Sequence, residues 1–120
     1  MKHPIAGLVV LAALSAFAPA NPASASAGGA GTQTFIGVIT DDMCAQAGHA
    51  RMRMGPTDAE CTLACVDVHG SAYVLYDGKN VYQLSDQKTP QQFAARKVKV
   101  TGTLDVKTKT IQVTSMVAVK

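Results

Sequence analysis

The stretch "DDMCAQAGHARMRM", residues 41 to 54, holds one cysteine, one histidine and three methionines, and "CTLAC" begins seven residues after its end. These side chains bind soft and borderline metal ions: thiolates and imidazoles serve zinc and copper, and thioethers suit Cu(I). The whole chain has three cysteines and three histidines, so most of this chemistry lies in one short region. Cys61 and Cys65 stand at i and i+4, on one face of a helix. A third thiolate, Cys44, and an imidazole, His49, from a facing loop complete a Cys3His set of the size a tetrahedral ion needs. His69, four residues beyond Cys65, continues the helical stripe and is the alternative imidazole. Met43, Met52 and Met54 lie in a loop too polar to hide three core residues. Met52 or Met54 would serve as a weak extra ligand, or both as adaptable apolar cover. Arg51 and Arg53 must then point outward. The expected metal set is Cys44, His49, Cys61, Cys65, His69, Met52 and Met54, around a copper or zinc ion.

The same thiols admit a second reading. A bond between Cys61 and Cys65 would strain a regular helix, but either could reach Cys44. A Cys44–Cys61 bridge spans seventeen residues and a Cys44–Cys65 bridge twenty-one, each contributing about 3 kcal/mol in the chain-entropy model. One thiol is then left over, and an odd count permits a disulfide-linked dimer. Other chemistry is poorly served. There is no C-x-x-C-H for haem and no C-x-x-C on a thioredoxin-like pattern. Asp41 and Asp42 are adjacent on an extended segment and point to opposite faces, so they make a poor acid–base pair. A solvated turn, or an aspartate steadying a ligand histidine, is the expected use. No glycine-rich phosphate loop and no nucleophile–His–acid spacing is present. An enzyme is not expected.

The elements that must position these residues are mainly strands. "TFIGVIT" (34–40) is rich in β-branched residues and reads as a first strand. "GSAYVLYDGKNVYQLSD" predicts two strands, about 72–76 and 80–84, joined around Asp77-Gly78, a strong hairpin signal. In "KVKVTGTLDVKTKTIQV", Val98, Val100, Gly102 and Leu104 share one face while Lys97, Lys99, Thr101 and Thr103 share the other. Ile111 and Val113 repeat that alternation on the return strand, so each strand has one face in a core and one in water. "PTDAECTLACVDVHG" (56–70) predicts a helix: Thr57 and Glu60 form a capping box, Pro56 precedes it, and Gly70 stands where a C-terminal glycine belongs. Cys61, Ala64, Cys65 and Val68 recur on one face of it. "TPQQFAARK" (89–97) predicts a short helix or turn. The fold class expected is mainly β: a small five-stranded OB-like barrel, with one Cys-bearing helix in the loop after strand 1 and a short helix before the last hairpin. An oligonucleotide or sugar face on strands two and three would need Tyr73, Tyr76 and Tyr82, but Tyr73 and Tyr76 differ by an odd number and face opposite ways.

The N-terminus sets the compartment. Lys2, an apolar run from Ile5 to Phe17 and small residues after it have the form of a secretory signal peptide, residues 1–27, cleaved after Ala20 or Ala27. The run is too short for a span of roughly 30 Å, so no membrane span is expected after cleavage. Residues 28–33 are expected to be a flexible tail and 34–120 the barrel domain, with a Cys/His/Met cap over 41–69. The mature chain, about 93–100 residues, is one domain that buries only about 60–65% of its unfolded surface, so a metal or disulfide staple would matter. The net charge of +3 includes Lys2 and excludes a nucleic-acid partner on electrostatic grounds.

The pattern met by Gly37, Ile39, Asp41, Cys44, His49, Cys61, Cys65, Val66, Val98, Val100 and Gly102 resembles that of short secreted bacterial OB-fold-like proteins of unknown function. The resemblance implies the barrel fold and no activity. The expectation is thus a periplasmic or secreted protein that binds a soft transition metal as chaperone, buffer or sensor, with the ion or a periplasmic protein as partner. The alternative is a disulfide-stapled structural or carbohydrate- or cell-wall-binding module without metal.

Overall fold

The computed structural model describes residues 31–120; the expected signal peptide and the first residues of the expected tail lie outside the described residues. Five strands follow the alternating stretches: β1 (Thr32–Asp41), β2 (Tyr73–Tyr76), β3 (Val81–Leu84), β4 (Lys97–Asp105) and β5 (Thr110–Ala118). One helix, α1 (Asp58–His69), lies between β1 and β2, and short 3-10 helices cover His49–Met52 and Thr89–Phe93. The strands form a closed barrel in the order β1-β2-β3-β5-β4, with β4 returning to β1. β3 and β5 pair in parallel and all other pairs are antiparallel. This mixed five-stranded barrel is consistent with an OB-like fold carrying a Cys-bearing helical insertion.

β1 begins two residues before the expected start, because Thr32 and Gln33 pair with Thr103 and Gly102 of β4. Its first part pairs with β4 and its last residues with β2, so one long strand closes the barrel. The core is Ile39, Tyr73, Leu75, Leu84, Val98, Val100 and Ile111, the inward set that period-two alternation selects. At Gly102 the β4–β5 register shifts, and a Cβ there would meet the backbone oxygen of Gln112. Only a residue without a side chain lets the two strands approach so closely.

The loop between β2 and β3 is held by Asp77, whose Oδ1 accepts from the Lys79 and Asn80 amides at 2.9 and 2.6 Å. The three tyrosines go to separate environments rather than one platform. Tyr73 is buried in the core, the Tyr76 hydroxyl donates to the Gly78 carbonyl at 3.0 Å, and the Tyr82 ring packs against Phe35 at 5.2 Å. Among the described residues no helix is long and apolar enough to cross a membrane.

Candidate metal centre

Period two continues to the end of β1. Gly37, Ile39 and Asp41 share the inward face, so the strand delivers a carboxylate, wholly buried, to the barrel end. Asp41 Oδ1 accepts from the amides of Met43 and Cys44 at 3.1 and 2.9 Å. This turn reverses the chain and tucks Cys44 inward at 2% exposure. The loop that follows is tied down by Asp42 N–H donating to Ala72 O at 3.0 Å and Gly48 N–H to Cys44 O at 2.8 Å.

The helix supplies the other two thiols. Thr57 caps it in a reciprocal box: Glu60 N–H donates to Thr57 Oγ1 and Thr57 N–H to Glu60 Oε2, both at 3.2 Å. Gly70, at φ 67°, ends it in the left-handed conformation. α1 lies against β1 and buries Cys61, Thr62 and Cys65, with Leu63 and Val66 packed against the barrel core. The expected stripe through Val68 is therefore corrected. Val68 is 63% exposed, because the glycine cap turns the chain toward β2 and leaves the last helical turn in solvent.

Cys44, Cys61 and Cys65 form a small cluster distinct from the barrel core, with Sγ atoms within 4.8 Å of one another. All three are free thiols, so neither the Cys44–Cys61 nor the Cys44–Cys65 bridge is present. A second triad, Asp41, Cys44 and His49, meets the same distance limit and shares Cys44 with the first. His49 Nε2 lies 3.2 Å from Thr40 Oγ1, while its Nδ1 is buried without a hydrogen-bond partner, as is Asp41 Oδ2. In the tautomer with its proton on Nε2, donated to the Thr40 hydroxyl, the imidazole presents Nδ1 as a free lone pair, the arrangement that orients metal-binding histidines.

The remaining expected ligands are placed differently. Met54 N–H donates to Cys61 Sγ at 3.3 Å, and Cys61 Sγ–H donates to Met52 O at 3.2 Å. What these two residues bring to Cys61 is backbone, and their side chains are 42% (Met52) and 36% (Met54) exposed. His69, exposed at the end of α1, belongs to neither triad. Arg53 points outward to the carbonyls of Gly55 and Pro56 and to Asp58, 3.2 Å away. The solvated turn expected of Asp41 is corrected: its carboxylate holds a turn but is wholly buried beside Cys44 and His49, because its position in the strand puts it on the Ile39 face.

The electrostatics of the cluster are one-sided. Among the described residues the only ion pair is the exposed Arg53–Asp58 contact, so the buried Asp41 carboxylate faces no cation. Burial pushes the Cys44 thiol up to about 12, and the Asp41 charge and the neighbouring thiols add to the effect. Burial and then Asp41 raise Cys65 as well. Buried anionic groups without a countercharge are costly, and a bound cation removes that cost. The arrangement is geometrically able to hold a metal ion, with the thiols giving up protons as it enters.

The fold and site together define a small OB-like barrel capped by a thiol-rich cluster able to coordinate metal. No family model, curated protein or solved structure matches the chain.

Proposed function

We propose that this is an exported bacterial protein that binds a soft transition metal, copper or zinc, and acts as a chaperone, buffer or sensor for it rather than as an enzyme. The observation that carries the reading is the convergence of three buried thiols beside a buried carboxylate that no cation offsets. Cys44, Cys61 and Cys65 are the thiolate ligands. His49 and Asp41 adjoin them, and Met52 or Met54 serves as cover that could turn a thioether inward. The signal-like N-terminus supports export to the periplasm or beyond, where the partner is the ion or a protein that delivers it.

The proximity of the sulfurs also favours a second reading. In an oxidising compartment Cys44 could bond to Cys61 or Cys65, giving a stapled structural or carbohydrate-binding module with one spare thiol. Chelator competition with Cu(I) and Zn(II) on the reduced protein separates the two. Metal taken from a chromophoric chelator, and lost in each Cys→Ser variant, supports the metal reading. No uptake of either ion overturns it.

A further inference from the structure

We propose that the cluster holds two ions rather than one, with Asp41 and His49 forming a second, zinc-class subsite bridged through the Cys44 thiolate to the three-sulfur subsite. The inference rests on the metal-binding reading above and adds a site that the thiols alone do not require. Two overlapping triads meet at Cys44: its Sγ lies within 4.8 Å of the Cys61 and Cys65 sulfurs and also of ligand atoms of Asp41 and His49. A thiolate has lone pairs enough to bridge two ions. Each ion then has three protein ligands, an open set that water or an incoming ligand completes.

Two unpartnered buried atoms point to an ion in the second triad. Four buried side-chain atoms among the described residues lack a hydrogen-bond partner, and two of them are Asp41 Oδ2 and His49 Nδ1. Such atoms are rare in folded proteins and need an explanation. Here the other atom of each group is already engaged: Asp41 Oδ1 by two backbone amides, His49 Nε2 by Thr40. The free atoms are left for a ligand. Carboxylate, imidazole and thiolate together suit a borderline ion such as Zn(II) better than Cu(I).

A cavity of about 240 Å³ is lined by Thr40, Cys44, His49 and Tyr76 among others. It reaches the shared thiol and the imidazole without passing Cys61 or Cys65. The His49 and Cys44 side of the second triad is therefore the one this cavity opens to.

The test is native mass spectrometry of the reduced full domain titrated with Zn(II), alongside Asp41→Asn and His49→Gln. Asp41→Asn keeps the Oδ1 acceptor, and His49→Gln alters a half-buried position in the 3-10 helix His49–Met52, outside the barrel core, so a folded variant is available even if the other fails. Two zinc ions in the wild type and one in each folded variant is the expected result. A wild type that saturates at one ion overturns the second subsite and leaves the three-thiol reading standing. Two ions retained by either variant also overturns it, since the second ion then sits elsewhere. No zinc at all overturns the second subsite, and Cu(I) uptake by the same protein then decides whether the three-thiol reading stands.

Discussion

Raising the pH of the metal-free, reduced protein is expected to destabilise it chiefly through Cys44. The thiol is pushed from an ordinary 9.0 to about 12 by burial and by Asp41, so the folded state holds this proton more tightly than the unfolded state does. The stability it contributes is fully present below about pH 9 and lost as the pH climbs towards 12. Each unit of displacement is worth about 1.4 kcal/mol, which sets a limit of about 4 kcal/mol for the whole window. Between about pH 8 and about pH 10.5 roughly half of it, about 2 kcal/mol, should disappear, a large fraction of the 5–15 kcal/mol typical of a domain. Cys65, raised for the same reasons, acts in the same direction. Urea unfolding at the two pH values, with reductant and chelator present, measures the loss. Comparison with Cys44→Ala isolates it from the titration of lysines and tyrosines. The variant should lose about 2 kcal/mol less than the wild type. Equal losses would refute the placement of a protonated Cys44 against a buried Asp41. With zinc bound, the sign of the pH dependence should reverse. A ligated thiolate is already ionised, so the loaded protein should hold steady over this range and weaken only as acid returns protons to the sulfurs.

Removing one thiol from the metal set should be costly to binding: structural zinc sites gain about 10–16 kcal/mol from four ligands, so Cys61→Ser or Cys65→Ser should lower affinity about 10²- to 10³-fold in chelator competition. His69→Ala, altering an exposed residue outside both triads, should change it less than about twofold. Thr57→Ala removes the helix cap and should cost about 1 kcal/mol, seen as a drop of roughly 4–8 °C in melting temperature. Gly102→Ala places a methyl against the Gln112 carbonyl and the Ile111 side chain, and should destabilise by about 1–3 kcal/mol in urea unfolding.

The parts of the fold that were legible in sequence are those governed by local rules. The capping box at Thr57 and Glu60, the glycine stop at Gly70 and the alternation through Val98, Val100 and Gly102 all involve neighbours a few residues apart. The same is true of the Asp77-Gly78 turn. The site was legible where spacing alone decides it, as with Cys61 and Cys65 one helical turn apart. It was less so where tertiary placement decides. His69 continues a stripe on paper, but nothing in its own sequence tells that the helix outruns the barrel. Met52 and Met54 have the right side-chain chemistry, yet it is their peptide groups that meet Cys61. Asp41 had a signal that pairing it with Asp42 obscured. Counting back by twos through Ile39 to Gly37 puts it on the inward face, and a carboxylate on an inward face needs a partner.

The most direct test of the central claim is native mass spectrometry of the protein purified from the exported fraction of its cells, with thiols counted before and after denaturation. The account predicts a chain carrying copper or zinc, with three free thiols titrating once the ion is removed. A metal-free chain lighter by two hydrogens, with a single thiol left to titrate, would contradict it.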